Sequence, residues 1–249
     1  MKLFIDDGGK AGGRLPVVLL HSAAGNTTQF EHQLAFSRGA RRAVAVDLPG
    51  HGRSPEAKTL EVEDVAAEVA ASLEGLRLGR FVLVGHSWGG AIAAALAARL
   101  PAQVAGLFLL DAASDGRLMP KPVADGLLAS LAADYQNVAK GYWVSLIAAS
   151  GPAVQVRVLA DLEATAPGVV VGTLRSLLTF DPVSALKRYP GPKEGLITAL
   201  NERDDAYHRE VPFPVTCVEA GHWLQLDQPE VVSRAIEAFA ARCDGAELA

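Results

Sequence analysis

Cysteine is scarce in this chain: only Cys217 and Cys243 occur among 249 residues. They form no C-x-x-C pair and sit in no metal-like cluster, so a reducing compartment is the simplest reading. Positive charge is not in excess either. The net charge is −5, and the basic pairs Arg41-Arg42 and Lys187-Arg188 are short. Nucleic acid and anionic membranes are therefore not expected as partners. No apolar run reaches the ~18 residues of a membrane span. The N-terminus, MKLFIDDGGK, meets acid and glycine at once, unlike a signal peptide. Together these absences lead to the expectation of a cytoplasmic protein. No G-x-G-x-x-G opens a helix, no phosphate-loop lysine follows a glycine-rich turn, and no two histidines have metal spacing. Neither cofactor nor metal is expected.

What is present is apolar material in short, regular pieces. Half the residues are hydrophobic, enough for one α/β domain with or without an inserted subdomain. Strands are predicted at Leu3–Ile5, Val17–Leu20, Ala43–Val46, Phe81–Val84, Val104–Leu110, Gly195–Leu200 and Val215–Glu219. Helices are predicted from Asn26 or Thr27, over Leu60–Leu76, over Trp88–Leu100, and from Pro229, a favoured first-turn residue. In the second of these, Val62, Val65, Ala66, Val69 and Leu73 share one face at helical spacing. Buried strands alternating with helices imply a mostly parallel sheet covered on both faces. The rhythm breaks between about Ser114 and Ala185, a stretch too long for a loop and made of helix-like pieces. The expected organisation is a core of residues 1–113 and 186–249 with a small helical cap insertion at 114–185.

The chemistry-bearing stretch is FVLVGHSWGG. Gly85-His86-Ser87-Trp88-Gly89 follows a strand and opens a helix. A nucleophile at that corner sits in a strained turn with little room, which Gly85 and Gly89 provide. Gly90 and Ala91 let the helix approach the sheet. A serine hydroxyl needs a base within reach, and His222 is the histidine best placed to be one. It follows the last strand in EAGHWLQLDQPE, at the sheet edge where Ser87 lies and where open α/β sheets place their chemistry. His21 and His86 sit in turns beside strands, His32 on a helix and His208 in a polar loop. His51, in DLPGHGRS, is read as part of a structural turn that Asp47 and Arg53 anchor.

With these pieces in order, VVLLHSAAG, VDLPGHGRS, LVGHSWGG, a strand ending LLD, and AGHWLQLDQPE, the chain resembles the α/β-hydrolase family over nearly its whole length outside the insertion. The resemblance implies Ser87 as nucleophile and His222 as general base and then acid. The family usually takes its acid from the loop after the penultimate strand. Here that loop reads ALNERDDAYHRE and offers Asp204, with Asp205 beside it. A minority of the family uses the preceding strand, which here ends at Asp111. The oxyanion hole is expected from the backbone N–H of Trp88 and, from the loop after VVLLH, that of Ala23. This loop has Ser22 where the family usually has glycine.

A serine nucleophile implies an acyl-enzyme that water cleaves. The expected activity is hydrolysis of carboxylic esters of small to medium apolar substrates. A lactonase, a C–C bond hydrolase, a thioesterase or a non-catalytic ligand-binding protein of the same fold stays open, because fold does not select among them. The insertion offers Met119, Leu127, Leu128, Tyr142, Trp143, Leu146 and Ile147 as apolar material for core or pocket. Ser22, Trp143 and Trp223 are candidates for substrate contact, and Trp88 is a further possible pocket residue.

Overall fold

The computed structural model describes residues 2–10, 12–56, 58–112, 115–203 and 206–245. Seven strands form one sheet: β1 (Ile5–Gly9), β2 (Val17–Leu20), β3 (Arg42–Val46), β4 (Phe81–His86), β5 (Val104–Leu110), β6 (Lys193–Ile197) and β7 (Val215–Cys217). Their order is β1-β3-β2-β4-β5-β6-β7. β1 runs antiparallel to β3, and every other pair is parallel. The helices are α1 (Glu31–Arg38), α2 (Val62–Glu74), α3 (Trp88–Arg99), α4 (Lys121–Ala133), α5 (Tyr135–Leu146), α6 (Pro152–Ala164), α7 (Pro167–Thr179), α8 (Pro182–Arg188), α9 (Tyr207–Glu210), α10 (Leu224–Asp227) and α11 (Pro229–Asp244). This is an α/β-hydrolase fold.

The central strands are apolar throughout because both faces are covered. Val18, Leu20, Val44, Val46, Leu83, Leu107 and Leu109 pack into the cluster that holds α2 and α3. Their alternates Val17, Leu19, Ala43, Ala45, Val82, Val84, Phe108 and Leu110 pack toward α1 and α11. The period of two seen in the strands is thus the division between the two layers. α3 is almost wholly buried and rich in alanine, which lets it lie close against the strands it crosses. α1 is preceded by a short 3₁₀ turn, Thr27–Phe30, capped by the Asn26 side chain accepting from Thr28 N–H.

Five strands, β1, β3, β4, β6 and β7, have boundaries that differ from the sequence expectation. β1 starts at Ile5 because its partner β3 ends at Val46, opposite Ile5. β6 stops at Ile197 because Thr198 turns out of the ladder to bond Asp111. β7 stops at Cys217, the last residue paired with β6.

Between β5 and β6 the described residues contain five α-helices, a short 3₁₀ turn at Gly116–Leu118 and no strand. α4 packs on α5 and α7, α5 on α6, and α7 also touches α3. α8 lies against α3, so position 185 falls inside a helix that packs on the sheet layers. No single helix among the described residues is long and apolar enough to cross a membrane.

Candidate active site

β4 is flanked by β2 and β5 at the point where the strand order reverses, and its carboxyl end opens there. Ser87 follows it directly, with φ 53° and ψ −118°, a conformation rare for a residue with a Cβ. The neighbouring glycines make the turn possible. A Cβ on Gly85 would fall on the Gly89 carbonyl and 2.7 Å from the Ala93 Cβ; one on Gly89 would fall on the carbonyls of His21 and Leu20. The Ser87 N–H donates to Leu110 O at 3.0 Å, which pins the turn to the end of β5.

Three side chains from three strand ends meet here. The Ser87 hydroxyl donates to His222 Nε2 at 2.8 Å. On the other side of the ring, His222 Nδ1–H donates to Asp111 Oδ2 at 2.6 Å. Ser87, His222 and Asp111 are all buried. Asp111 directly follows β5 with φ 37°. Its carboxylate also accepts from Thr198 N–H at 2.7 Å and from the Thr198 hydroxyl at 2.9 Å. Burial pushes the Asp111 carboxyl up, but the hydrogen bond and charge of His222, the Thr198 N–H and the Asn201 amide outweigh it. The net effect holds Asp111 below the usual carboxylate range. Asp204 and Asp205, the acids expected from the usual family position, lie outside the described residues. Among the described residues the carboxylate bonded to His222 is that of Asp111, at the end of the earlier strand.

Ala23, in the loop after β2, lines the space above Ser87, and Trp88 is the first residue of α3. The β2 loop is stiffened by two buried histidines. His21 Nε2 accepts from Leu48 N–H at 2.8 Å while its Nδ1–H donates to Ser22 O at 2.7 Å. His51 Nε2 accepts from Ala24 N–H at 3.1 Å while its Nδ1–H donates to Pro49 O at 2.9 Å. Ala24 has φ 52°, so His51 braces a strained residue next to Ala23. Desolvation lowers the His21 pKa to about 4 and the His51 pKa to about 3, so both rings are neutral. The DLPGHGRS turn is held as its sequence suggests: Asp47 accepts from Thr27 N–H at 2.6 Å and from Arg53 N–H at 2.8 Å.

A cavity of about 450 Å³ opens above Ser87 and His222. Its walls are mainly apolar: Leu118, Met119, Leu127, Tyr142, Trp143, Leu146, Leu174, Leu177 and Leu178 from the helical insertion, and Leu200 and Trp223 from the sheet side. Ser22, Trp143 and Trp223, picked out from the sequence for substrate contact, all line it. Trp88 does not: its indole N–H donates to Ser176 on α7 at 3.0 Å, and its ring lies 5.4 Å from that of His51. Sequence reasoning missed Thr198 and Asn201, whose positions in GLITALN carry no motif. It read His51 as shaping a turn but not as bracing Ala24, and it passed over the supporting role of His86, although a histidine inside a glycine-rich turn was a visible signal. Among the described residues no group of three or more His, Cys, Asp or Glu side chains could hold a metal ion.

Residues 17–235 match the model of the alpha/beta hydrolase family, and the chain belongs to that family. It is similar to the dihydrolipoyllysine-residue acetyltransferase component of the acetoin cleaving system of Pseudomonas putida, at 29% identity over 93% of this chain and 64% of that protein. It is 45% identical to Lipase LipV of Mycobacterium tuberculosis over 40% of this chain and 38% of the relative. The chain thus spans less than two thirds of the length of either relative. A solved structure of an esterase from Exiguobacterium antarcticum superposes with a TM-score of 0.84 at 20% identity, covering 96% of this chain and 95% of the other.

Proposed function

We propose that the protein is a serine hydrolase that cleaves carboxylic esters of small to medium apolar substrates through an acyl-enzyme. The observation that carries this reading is the hydrogen-bonded chain Ser87–His222–Asp111, with contacts of 2.8 and 2.6 Å, opening on an apolar cavity. About 450 Å³ lies within the roughly 300–1,000 Å³ of small-molecule sites. In this reading the helices α4–α7 act as a cap that supplies most of the apolar wall.

The mechanism follows from the hydrogen-bond directions. Ser87 Oγ attacks the acyl carbon as its proton passes to His222 Nε2. The imidazolium that forms is held and stabilised by the ionised Asp111 on Nδ1. Charge developing on the carbonyl oxygen is met by the N–H groups of Ala23 and Trp88 at the N-terminal end of α3. His222 then protonates the leaving alkoxide, and water, activated by the same ring, releases the acid from Ser87. Asp111 takes the acid role in place of Asp204.

The test is turnover of p-nitrophenyl acetate, butyrate and octanoate by the wild type and by Ser87→Ala. The expected result is hydrolysis by the wild type and a loss of at least ~10⁴-fold in kcat in the variant. Equal inertness of the two proteins on all three esters would remove the ester reading.

A further inference from the structure

We propose that His86 is a positioning residue: it fixes the main chain of His222 and thereby sets the Ser87–His222 contact. Its kinetic readout rests on the hydrolase reading above; its geometry does not.

His86 is the last residue of β4 and the one before Ser87. Its ring is fully buried and does not line the cavity. Nε2 lies 2.8 Å from the backbone carbonyl of His222, and Nδ1 lies 3.1 Å from Gln225 Nε2. A carbonyl only accepts, so the proton is on Nε2. The Gln225 amide then donates to Nδ1 and locks that tautomer. Desolvation lowers the His86 pKa to about 3, so the ring stays neutral and the arrangement has one form at working pH. Gln225 is itself held from α1, where Gln33 Nε2 donates to its backbone carbonyl at 3.1 Å.

His222 needs such support because of where it sits. It lies between the end of β7 at Cys217 and the start of α10 at Leu224, outside any strand or helix. Its own N–H donates to Leu146 O at 3.2 Å, and its carbonyl is taken by His86. Gly221 N–H is held by Asp227 at 3.0 Å. Both sides of the His222 peptide unit are thus fixed from outside the loop, and the fixing group on the carbonyl is covalently next to the nucleophile. The distance between Ser87 and the ring that takes its proton is built into one pair of adjacent residues. His86 has no role as a proton carrier, since Nε2–H faces a carbonyl and Nδ1 faces an amide N–H. It acts through His222.

The variants are His86→Phe, which keeps a ring and removes the donor, and His86→Gln, whose Nε2 lies the same number of bonds from Cα and restores a donor. Each is assayed for kcat and KM on p-nitrophenyl butyrate, for thermal midpoint, and for the low-field proton resonance of the His222 Nδ1–H···Asp111 bond. The expected result for His86→Phe is a kcat loss of roughly 10²-fold, the usual scale for a misplaced catalytic group, with KM within about threefold and the low-field resonance lost. His86→Gln should recover at least about tenfold of kcat together with the resonance. If His86→Phe does not fold, Gln225→Leu frees the ring to move its proton to Nδ1 and should lower kcat about tenfold. A lower thermal midpoint with kcat and the resonance unchanged would overturn the proposal, as would a His86→Gln no better than His86→Phe. If the wild type is inert on every ester, the hydrolase reading fails, while the dependence of the resonance on His86 still decides the positioning role.

Discussion

Thr198 grips both oxygens of Asp111, its N–H on Oδ1 at 2.7 Å and its hydroxyl on Oδ2 at 2.9 Å. β6 lies parallel to β5, with Leu110 opposite Leu196, and runs one residue further, so Thr198 arrives beside the acid. An ionised carboxylate buried at this depth requires such donors. Asp111→Asn is expected to lose ~10⁴-fold in kcat, because an amide no longer enforces the Nδ1–H tautomer of His222. Asp204→Asn and Asp205→Asn are expected to stay within about threefold of wild type. Thr198→Val keeps the backbone donor and removes one hydrogen bond to a charged group, which is worth about 1.5–3 kcal/mol. Its kcat should fall about tenfold. Steady-state kinetics on one ester decide all four; a crippled Asp204→Asn beside an active Asp111→Asn would move the acid to the later loop.

Gly89 and Gly126 should respond to alanine in opposite ways. A Cβ on Gly89 would strike backbone carbonyls of His21 and Leu20, where β2 runs buried between β3 and β4. No flexible side chain is available to give way. Gly89→Ala is expected to cost more than about 4 kcal/mol or to prevent folding. Gly126 lies inside α4, where an added Cβ meets nothing within 4 Å. Gly126→Ala should stabilise by about 0.5–1 kcal/mol. Urea unfolding of the two variants makes the comparison.

Much of this was readable in the residues. The strands VVLL, AVAV, FVLV and VAGLFLL are short apolar runs because both faces of the sheet are buried, and that alone suggests the layers. Ser87 and His222 were legible because their neighbours are constrained: glycine around the serine, and a strand end before the histidine. The acid was not, since Asp111 and Asp204 both follow strands whose carboxyl ends reach the same edge. What marks Asp111 in the structure is its bond to His222 Nδ1 and the grip of Thr198, 87 residues away. His51 was legible as part of a turn, but what it and His86 hold was not: Ala24 N–H and the His222 carbonyl are backbone groups of other loops, and no sequence spacing encodes those.

Three buried neutral histidines should make the protein sensitive to acid. In the folded state the pKa values are lowered to about 4 for His21 and about 3 for His51 and His86, each mainly by desolvation. Unfolded histidine titrates near ~6.5. Between these values the unfolded chain binds protons that the folded one refuses, so stability falls as pH drops from about 6.5 toward 4. Each histidine contributes up to about 1.4 kcal/mol per pH unit in that window. His51→Gln, which cannot titrate but keeps an acceptor for Ala24 N–H, should lower the slope by about that amount. The check is the free energy of urea unfolding measured from pH 7 to pH 5; a flat profile would mean the rings are protonated within the fold.

The cavity wall predicts where specificity is set. Leu127 on α4 lines the space above Ser87 and is only half-buried, so a larger side chain there can grow into the cavity without displacing the core. Leu127→Trp should leave kcat/KM for p-nitrophenyl acetate nearly unchanged, since acetate needs only the volume next to Ser87. For the octanoate it should lower kcat/KM about tenfold, the scale of a few methylenes lost from an apolar pocket. The ratio of the two esters cancels any general loss of stability or of active sites. If both esters fall together, the ring reaches the reacting centre itself. If neither changes, the acyl chain runs along the opposite wall, where Leu200 and Trp223 lie, and Leu200→Trp becomes the variant that discriminates chain length.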